Sequence, residues 1–197
     1  MGLTPYYQDD AVTIYCGDSR ELVPRLFSSG VDVVMTDPPY PGYEKGWEVP
    51  DVADVLGSIA ANVKVVFWPV LCPSPLAVHT AEHVWHKPNG NSSYHYERIL
   101  VEGGPATCRV FRSAAILPNY TQYAAEAVDH PTQKPVKLMR QLLGIYTGAL
   151  TLDPFMGSGT TLRAAKDLGR KAIGIEINER YCEMAAGRMA QEVLAVA

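Results

Sequence analysis

"LDPFMGSGTTLRAAKDLGRKAIGIEI", residues 152–177, decides the fold of this chain. It begins in an apolar strand predicted at 149–154 and continues into a turn with glycines at 157 and 159. A helix is predicted over 157–169 and a second strand over 171–177. Strand, glycine turn, helix and strand in this order form a βαβ unit, whose two strands lie parallel in one sheet. The glycines let the backbone approach a ligand closely, although a tight strand–helix turn also needs glycine for its own geometry.

The same alternation extends outward from this unit in both directions. Strands are predicted at 11–18, 31–37, 63–70, 83–88 and 96–104, and helices at 19–30, 51–62, 131–148 and 178–195. Helices of ten to fifteen residues between strands are typical of parallel sheets. The sequence therefore predicts an α/β fold, a Rossmann-like doubly wound and mostly parallel sheet with helices on both faces. Residues 105–129 show no clear period.

Composition limits the class of protein. The chain has 197 residues, of which 47% are apolar and 19% charged, which fits a single globular domain over 1–197. The net charge of −4 does not by itself indicate a polyanionic partner, although a local basic face could still bind one. Four scattered cysteines without a C-x-x-C pair argue against zinc and disulfides, so we expect no metal and a reducing, cytoplasmic location. The first ten residues lack signal-peptide features, and prolines interrupt the longest uncharged run, so no membrane segment is expected.

Four acids follow or end predicted strands. They are Asp18, Asp37, Asp153 and Glu176. In doubly wound sheets, ligands bind beyond the carboxyl ends of the strands. The positions of these acids therefore predict a ligand site at that edge.

Glu176 indicates the class of ligand. It ends the strand after the glycine turn, 17 residues beyond Gly159. An acid there is placed to accept hydrogen bonds from both ribose hydroxyls. Leu162 stands where the third glycine of a dinucleotide fingerprint would fall, and no lysine follows the turn as in a P-loop. A nucleoside without phosphates, such as S-adenosylmethionine, fits better, with Asp153 facing its cationic end.

"TDPPY", residues 36–40, is the second unusual stretch. An apolar strand ends in an acid, two prolines and an aromatic ring. Proline fixes its own φ and restricts the residue before it, so Asp37 and the next carbonyls are held in place. The alternative is an ordinary strand exit stopped by proline, with a surface tyrosine.

Three motifs together resemble a known family. "TDPPY" (36–40), "HPTQKP" (130–135) and "LDPFMGSGTT" (152–161) are similar to the signature motifs of amino-group DNA methyltransferases. Their order, with the catalytic motif first and the glycine turn last, resembles the β class of that family. "IYCGDS" (14–19) and "AIGIEINERYCEMA" (172–185) are also similar, so the resemblance covers about 12–190. It implies the class I S-adenosylmethionine-dependent methyltransferase fold with a circularly permuted motif order.

The resemblance also implies which residues form the site. The catalytic motif would be Asp37, Pro38, Pro39 and Tyr40. The cofactor would be bound by Asp18, Asp37, Thr132, Gln133, Lys134, Pro135, Asp153, Phe155, Gly157, Ser158, Gly159, Thr160 and Glu176. Asp18 would approach the adenine amino group, and residues 132–135 would line the methionine end.

The implied chemistry is transfer of a methyl group from S-adenosylmethionine to an exocyclic base nitrogen. The Asp37 carboxylate and the Pro38 carbonyl would accept hydrogen bonds from the target amino group, and Tyr40 would stack on the base. The base would be flipped out of double-stranded DNA, and the transfer would be direct, without a covalent enzyme intermediate. Aspartate at 37 favours N6 of adenine, because serine is more usual in N4-cytosine enzymes of this family. The rival hypotheses are an N4-cytosine enzyme, a nucleotide-dependent oxidoreductase and a non-catalytic DNA-binding module.

Target recognition is predicted in a short insertion at 104–129. Candidate DNA contacts are of types that bind base edges or phosphates, although for any single one a loop or packing role is the favoured interpretation. They are Lys87, Arg98, Arg109, Arg112, Asn119 and Tyr120. The loop at 41–50 could close over the flipped base or be a mere connection. So small a target-recognition region suggests that the DNA recognition sequence is short or that the protein acts as a homodimer. The resemblance further implies a bacterial or phage protein of a restriction-modification system.

Overall fold

The computed structural model describes residues 3–27, 29–40, 49–88, 95–113 and 133–191. These residues form nine strands and five helices. In chain order they are β1 (Tyr7–Gln8), β2 (Val12–Cys16), α1 (Ser19–Leu26), β3 (Val31–Thr36), α2 (Val49–Ser58), β4 (Ala61–Trp68), β5 (Ala81–His86), β6 (Tyr96–Gly103), β7 (Val110–Arg112), α3 (Val136–Ile145), β8 (Leu150–Asp153), α4 (Thr160–Asp167), β9 (Lys171–Glu176) and α5 (Glu179–Ala190).

All nine strands form one sheet in the order β1-β2-β9-β8-β3-β4-β6-β5-β7. The five strands from β2 to β4 in this order are mutually parallel, whereas β6 runs antiparallel to both β4 and β5. The chain leaves β8 through α4 towards β9, and leaves β3 through α2 towards β4. The direction of winding therefore reverses between β8 and β3, which is where such sheets bind ligands. The predicted doubly wound, mostly parallel α/β fold is confirmed.

Two layers of helices cover the sheet. Helices α3, α4 and α5 pack on one face, with Leu138, Leu162 and Cys182 fully buried there. Helices α1 and α2 cover the other face in a second apolar cluster that includes Val52 and Leu56. Because β3 is covered on both faces, its central residues 33–35 are all apolar and inaccessible to solvent.

Several predicted boundaries differ from the structure. Helix α3 begins at Val136 because Pro135 stands at its N-cap in an extended conformation; residues 131–132 lie outside the described ranges. Strand β4 begins at Ala61, although 61–62 had the helical spacing of the preceding segment. Strands β1 and β7 were not predicted, because elements of two or three residues at the sheet edges are too short to show a period.

None of the helices in the described ranges has the length and apolar character that a bilayer span requires.

Candidate active site

The four acids singled out in the sequence lie along one edge of the sheet. Asp18 follows β2, Glu176 ends β9, Asp153 ends β8 and Asp37 follows β3. These strands are neighbours and run parallel, so their carboxyl ends meet at the same edge. Asp153 and Asp37 flank the point where the winding reverses.

Glu176 anchors the glycine turn. Its Oε2 accepts a hydrogen bond from the Gly157 amide at 2.9 Å, and its Oε1 accepts one from the Asn178 amide at 2.9 Å. An ionised carboxylate is an acceptor only, so the side chain presents acceptor oxygens beside the turn. Gly157 has φ 51° and Gly159 φ 79°, which residues with a Cβ rarely adopt. A Cβ at Gly159 would also lie 2.9 Å from the Cβ of Ala185 on α5, so helix packing requires this glycine.

Asp153 lies beneath the turn and is only 2% exposed. Its Oδ1 accepts hydrogen bonds from the Thr36 hydroxyl at 2.6 Å and the Phe155 amide at 3.1 Å. Burial raises the pKa of Asp153 to about 7, against the opposing effect of bonds from Thr161, Thr36 and Phe155. The carboxyl therefore changes charge near neutral pH, where an ordinary aspartate is fully ionised.

Replacing Asp153 by asparagine should raise the free energy of unfolding at pH 8. The unfolded chain releases this proton near pH 4 and the folded protein near pH 7. The folded protein therefore loses stability as the pH rises between these values, and asparagine removes that cost. We expect a gain of about 2–4 kcal/mol at pH 8, measured by urea unfolding. The gain should shrink as the pH falls to 5, and a loss of stability at pH 8 would contradict the assignment.

Asp37 is held by two side chains. Its Oδ1 accepts a hydrogen bond from the Tyr40 hydroxyl at 2.7 Å, and its Oδ2 accepts one from Lys134 Nζ at 2.5 Å. The ring of Tyr40 packs edge-on against Trp68, with 5.9 Å between the ring centroids. Of the two prolines between Asp37 and Tyr40, Pro38 is buried and Pro39 is half-buried. The Asp37 carboxylate is therefore fixed in direction by the residues around it.

Lys134 connects Asp37 to a second acid. Its side chain is 5% exposed, and its Nζ lies 3.4 Å from Oε2 of Glu97 at the start of β6. The other oxygen of Glu97 pairs with Lys87 Nζ at 2.6 Å. The result is a row of alternating charges, Asp37, Lys134, Glu97 and Lys87, at the active edge. Glu97 was not predicted, since a single acid in an amphipathic strand carries no signal of its own.

Three aromatic rings surround the Lys134 ammonium. Its Nζ lies 5.8 Å from the ring centroid of Tyr40, 5.3 Å from that of Phe67 and 5.8 Å from that of Trp85. Aromatic faces attract cations, so they favour the charged form of the amine, whereas the exclusion of water from the pocket opposes it.

The pKa directions follow from burial and from these charges. Burial raises the pKa of Asp37, and the attraction of Lys134 only partly opposes this. Burial acts the same way on Glu97, but Lys134 and Lys87 together outweigh it and lower the Glu97 pKa. Burial works against the charge on Lys134, but Asp37 and Glu97 outweigh it and raise the Lys134 pKa. Asp37 is therefore less readily ionised than an ordinary aspartate, and Glu97 is more readily ionised than an ordinary glutamate.

The other predicted cofactor residues lie around the same edge. Asp18 caps α1 and pairs with the Arg20 side chain, which lowers the Asp18 pKa. Gln133 is buried and accepts hydrogen bonds from Arg188 at 2.9 Å and Ser158 at 3.4 Å. Pro135 and Thr160 are buried and Phe155 is half-buried. Thr132 lies outside the described residues.

The predicted DNA contacts differ in their surroundings. Lys87 pairs with Glu97, and Arg98 forms a two-bond ion pair with Glu82 at 3.0 Å. Arg109 and Arg112 are exposed beside and within edge strand β7. Asn119 and Tyr120, most of the 104–129 insertion and most of the 41–50 loop lie outside the described residues. In the described part of the chain no three His, Cys, Asp or Glu side chains are grouped to hold a metal ion.

Comparison with known proteins shows the family to which this chain belongs. Residues 78–187, more than half of the chain, match the model of the N6/N4 methyltransferases, described as "DNA methylase". The chain belongs to this family. The resemblance of its three motifs to the β class of amino-group DNA methyltransferases is thereby confirmed.

Individual members of the DNA methylase family are similar over different lengths. The type II methyltransferase M.HindIII of Haemophilus influenzae is 30% identical over 159 residues, which is 76% of this chain and 48% of that protein. The DNA adenine methyltransferase YhdJ of Escherichia coli is 46% identical over 66 residues, 32% of this chain and 22% of that protein. The chain thus spans less than half the length of these curated relatives.

A solved structure is similar over nearly its full length. The crystal structure of the M1.HpyAVI–SAM complex superposes with a TM-score of 0.67 at 26% identity. The match covers 90% of this chain and 99% of that one. The sheet and helices described above are therefore those of a DNA methylase.

Proposed function

We propose that this chain is an S-adenosylmethionine-dependent DNA methyltransferase acting on the exocyclic N6 of adenine in double-stranded DNA. The observation that carries this proposal is the position of Asp37. It stands beside the reversal of winding, on the strand next to the one that leads into the glycine turn and Glu176. The proposed acceptor for an amino group and the proposed nucleoside site therefore lie together at the carboxyl ends of the parallel strands.

The residues at that edge fit the cofactor. Glu176 presents its carboxylate at the end of β9, beside the glycine turn that it binds, and we propose that it accepts hydrogen bonds from the ribose hydroxyls. Asp18, beyond neighbouring β2, is the proposed contact of the adenine amino group, and Gln133 is the proposed contact at the methionine end. A protein of the same fold is described in complex with SAM. When bound, the cofactor supplies an activated methyl group on a positively charged sulfur.

The protein's share of the catalysis is to make a poor nucleophile reactive. The lone pair of an exocyclic amine is delocalised into the base, and acceptors on its hydrogens favour a pyramidal nitrogen. Asp37 and the Pro38 carbonyl are the proposed acceptors, and Tyr40 orients the carboxylate by donating to Oδ1. Preorganised acceptors also stabilise the positive charge that develops on the nitrogen. The raised pKa of Asp37 suits it to take up the proton that the methylated nitrogen releases.

Aspartate at position 37 supports adenine as the target. In the family pattern described above, aspartate is associated with adenine and serine with N4 of cytosine. The similarity to YhdJ, a DNA adenine methyltransferase, points the same way. Since a base in a duplex cannot reach the pocket, the proposal includes base flipping. Arg109 and Arg112, both exposed at β7, are proposed phosphate or base contacts.

The test is to express the chain in a host that lacks DNA methylation and to read modified bases across the host genome. We expect N6-methyladenine within one short sequence motif, and none in a host with the empty vector. N4-methylcytosine instead would correct the target base. Unmodified DNA in cells that contain the soluble protein would contradict the function. If methylation is found, a role in a restriction-modification system would be examined next.

A further inference from the structure

The Lys134 ammonium occupies the acceptor that the proposed function assigns to the target base. Nζ donates to Asp37 Oδ2 at 2.5 Å, inside the aromatic surroundings of Tyr40, Phe67 and Trp85. A base amino group would present the same chemistry, namely N–H donors directed at Asp37 beside aromatic faces. The Lys134 side chain is only 5% exposed and fills the aromatic surroundings of this acceptor, so an entering base would compete with it for Asp37.

Glu97 offers Lys134 a second place. No hydrogen-bond donor in the described part of the chain reaches Glu97 Oε2, although this atom is buried. Lys134 Nζ lies 3.4 Å away from it, so a small movement would complete a hydrogen bond. Lys87 holds the other oxygen of Glu97 at 2.6 Å and fixes the direction of the carboxylate. A buried acceptor without a donor is energetically costly, so a hydrogen bond from Lys134 to Glu97 Oε2 would remove that cost.

We propose that Glu97 is a positioning residue that takes Lys134 from Asp37 when the target base enters. Lys134 is then a placeholder that keeps Asp37 neutralised until the amino group arrives. This inference rests on the proposed function, since it assumes that a base amino group reaches Asp37.

The charges around the site are consistent with such a transfer. Asp37 faces Lys134, Tyr40, Glu97 and Asp153, and Glu97 faces Lys134, Lys87, Asp37 and Tyr40. The two acids and two lysines balance, so moving Lys134 between the acids changes no net charge. The two lysines lower the pKa of Glu97, so its carboxylate is charged and can pair with the displaced ammonium.

The first test is Glu97→Gln, measured by the single-turnover rate of methyl transfer to a duplex with the recognition sequence. Without the charge on Glu97, Lys134 stays on Asp37 and competes with the base. We expect the rate to fall about 10- to 100-fold, the scale of one hydrogen bond between charged groups, with cofactor affinity unchanged within about threefold. Glu102→Gln is the matched control, because Glu102 lies on the same strand and pairs with Lys64 at 2.8 Å at the far end. The control should transfer at the wild-type rate.

The decisive comparison is the double variant Glu97→Gln/Lys134→Met. If Lys134 slows Glu97→Gln by competing for Asp37, removing the competitor should restore part of the lost rate. A residue that only supports the fold would give a double variant as slow as the single one or slower. Either of those two results would overturn the inference.

The pH profile is a readout that a fold defect would not move in this direction. Glu97 raises the pKa of Asp37 by repulsion, so Glu97→Gln should shift the acidic limb of the transfer rate to lower pH. If Glu97→Gln does not fold, Glu97→Asp keeps the charge but withdraws it from Lys134, and an intermediate loss is expected. A wild-type rate in Glu97→Asp would contradict the proposal. Failure of the proposed function is distinguishable, because then the wild type itself would transfer no methyl group.

Discussion

Replacing Asp37 by alanine is expected to reduce methyl transfer by at least about 10²–10³-fold, the cost of removing one preorganised group that stabilises transition-state charge. Tyr40 and Lys134 hold the Asp37 carboxylate at the point where the winding of the sheet reverses. We expect no neighbouring side chain to supply an acceptor with the same orientation. The measurement is the single-turnover rate on the duplex identified by genome-wide reading of modified bases.

The cofactor affinity of Asp37→Ala distinguishes a loss of catalysis from a general loss of structure. Glu176 and the glycine turn do not contact Asp37 in the described hydrogen bonds, so cofactor affinity should stay within a few-fold. Asp54→Ala is the matched control, since Asp54 is an exposed aspartate on α2. A large loss of cofactor affinity in Asp37→Ala, or an unchanged transfer rate, would show that Asp37 has another role.

The second large effect is expected at Glu176. Glu176→Ala removes the proposed ribose acceptor and leaves the Gly157 and Asn178 amides without their described partner. Loss of hydrogen bonds to a charged group should weaken cofactor binding about 10- to 100-fold, measured by isothermal titration with S-adenosylmethionine. Glu176→Gln should be milder, because its amide oxygen still accepts one hydrogen bond.

Two control measurements show whether the effect of Glu176→Ala is specific to cofactor binding. Glu183→Gln changes an exposed acid on the adjacent helix α5 and should leave cofactor affinity unchanged. The affinity of Glu176→Ala for duplex DNA should also be retained, since the change is on the cofactor side. Wild-type affinity for S-adenosylmethionine in Glu176→Ala would contradict the assigned ribose contact.

The fold was predictable because its signals are local. The apolar run at 31–37 is long and continuous, as a strand covered on both faces requires, and β3 is buried in that way. The glycine turn was recognisable from Gly157 and Gly159, although the structure shows that Gly159 is also needed for contact with Ala185. Edge strand β7 could not be predicted, because three residues with one buried side chain fit many local conformations.

The site was predictable only where residues mark strand ends. Asp37 and Glu176 could be placed because parallel strands bring their carboxyl ends to one edge. The contact between Lys134 and Glu97 could not be placed, because it joins residues 37 positions apart, one on β6 and the other just before α3. Lys134 was expected near the methionine end, and the structure shows its ammonium on Asp37. Nothing in the local sequence around Glu97 indicates that neighbour.

The most direct measurement is transfer of isotope-labelled methyl groups from S-adenosylmethionine to duplex DNA by the purified protein, followed by analysis of the nucleosides. We expect the label in N6-methyl-2′-deoxyadenosine with the wild-type chain and none above background with Asp37→Ala. Label at a ring carbon, or equal labelling by the wild type and Asp37→Ala, would contradict the claim that Asp37 directs transfer to an amino nitrogen.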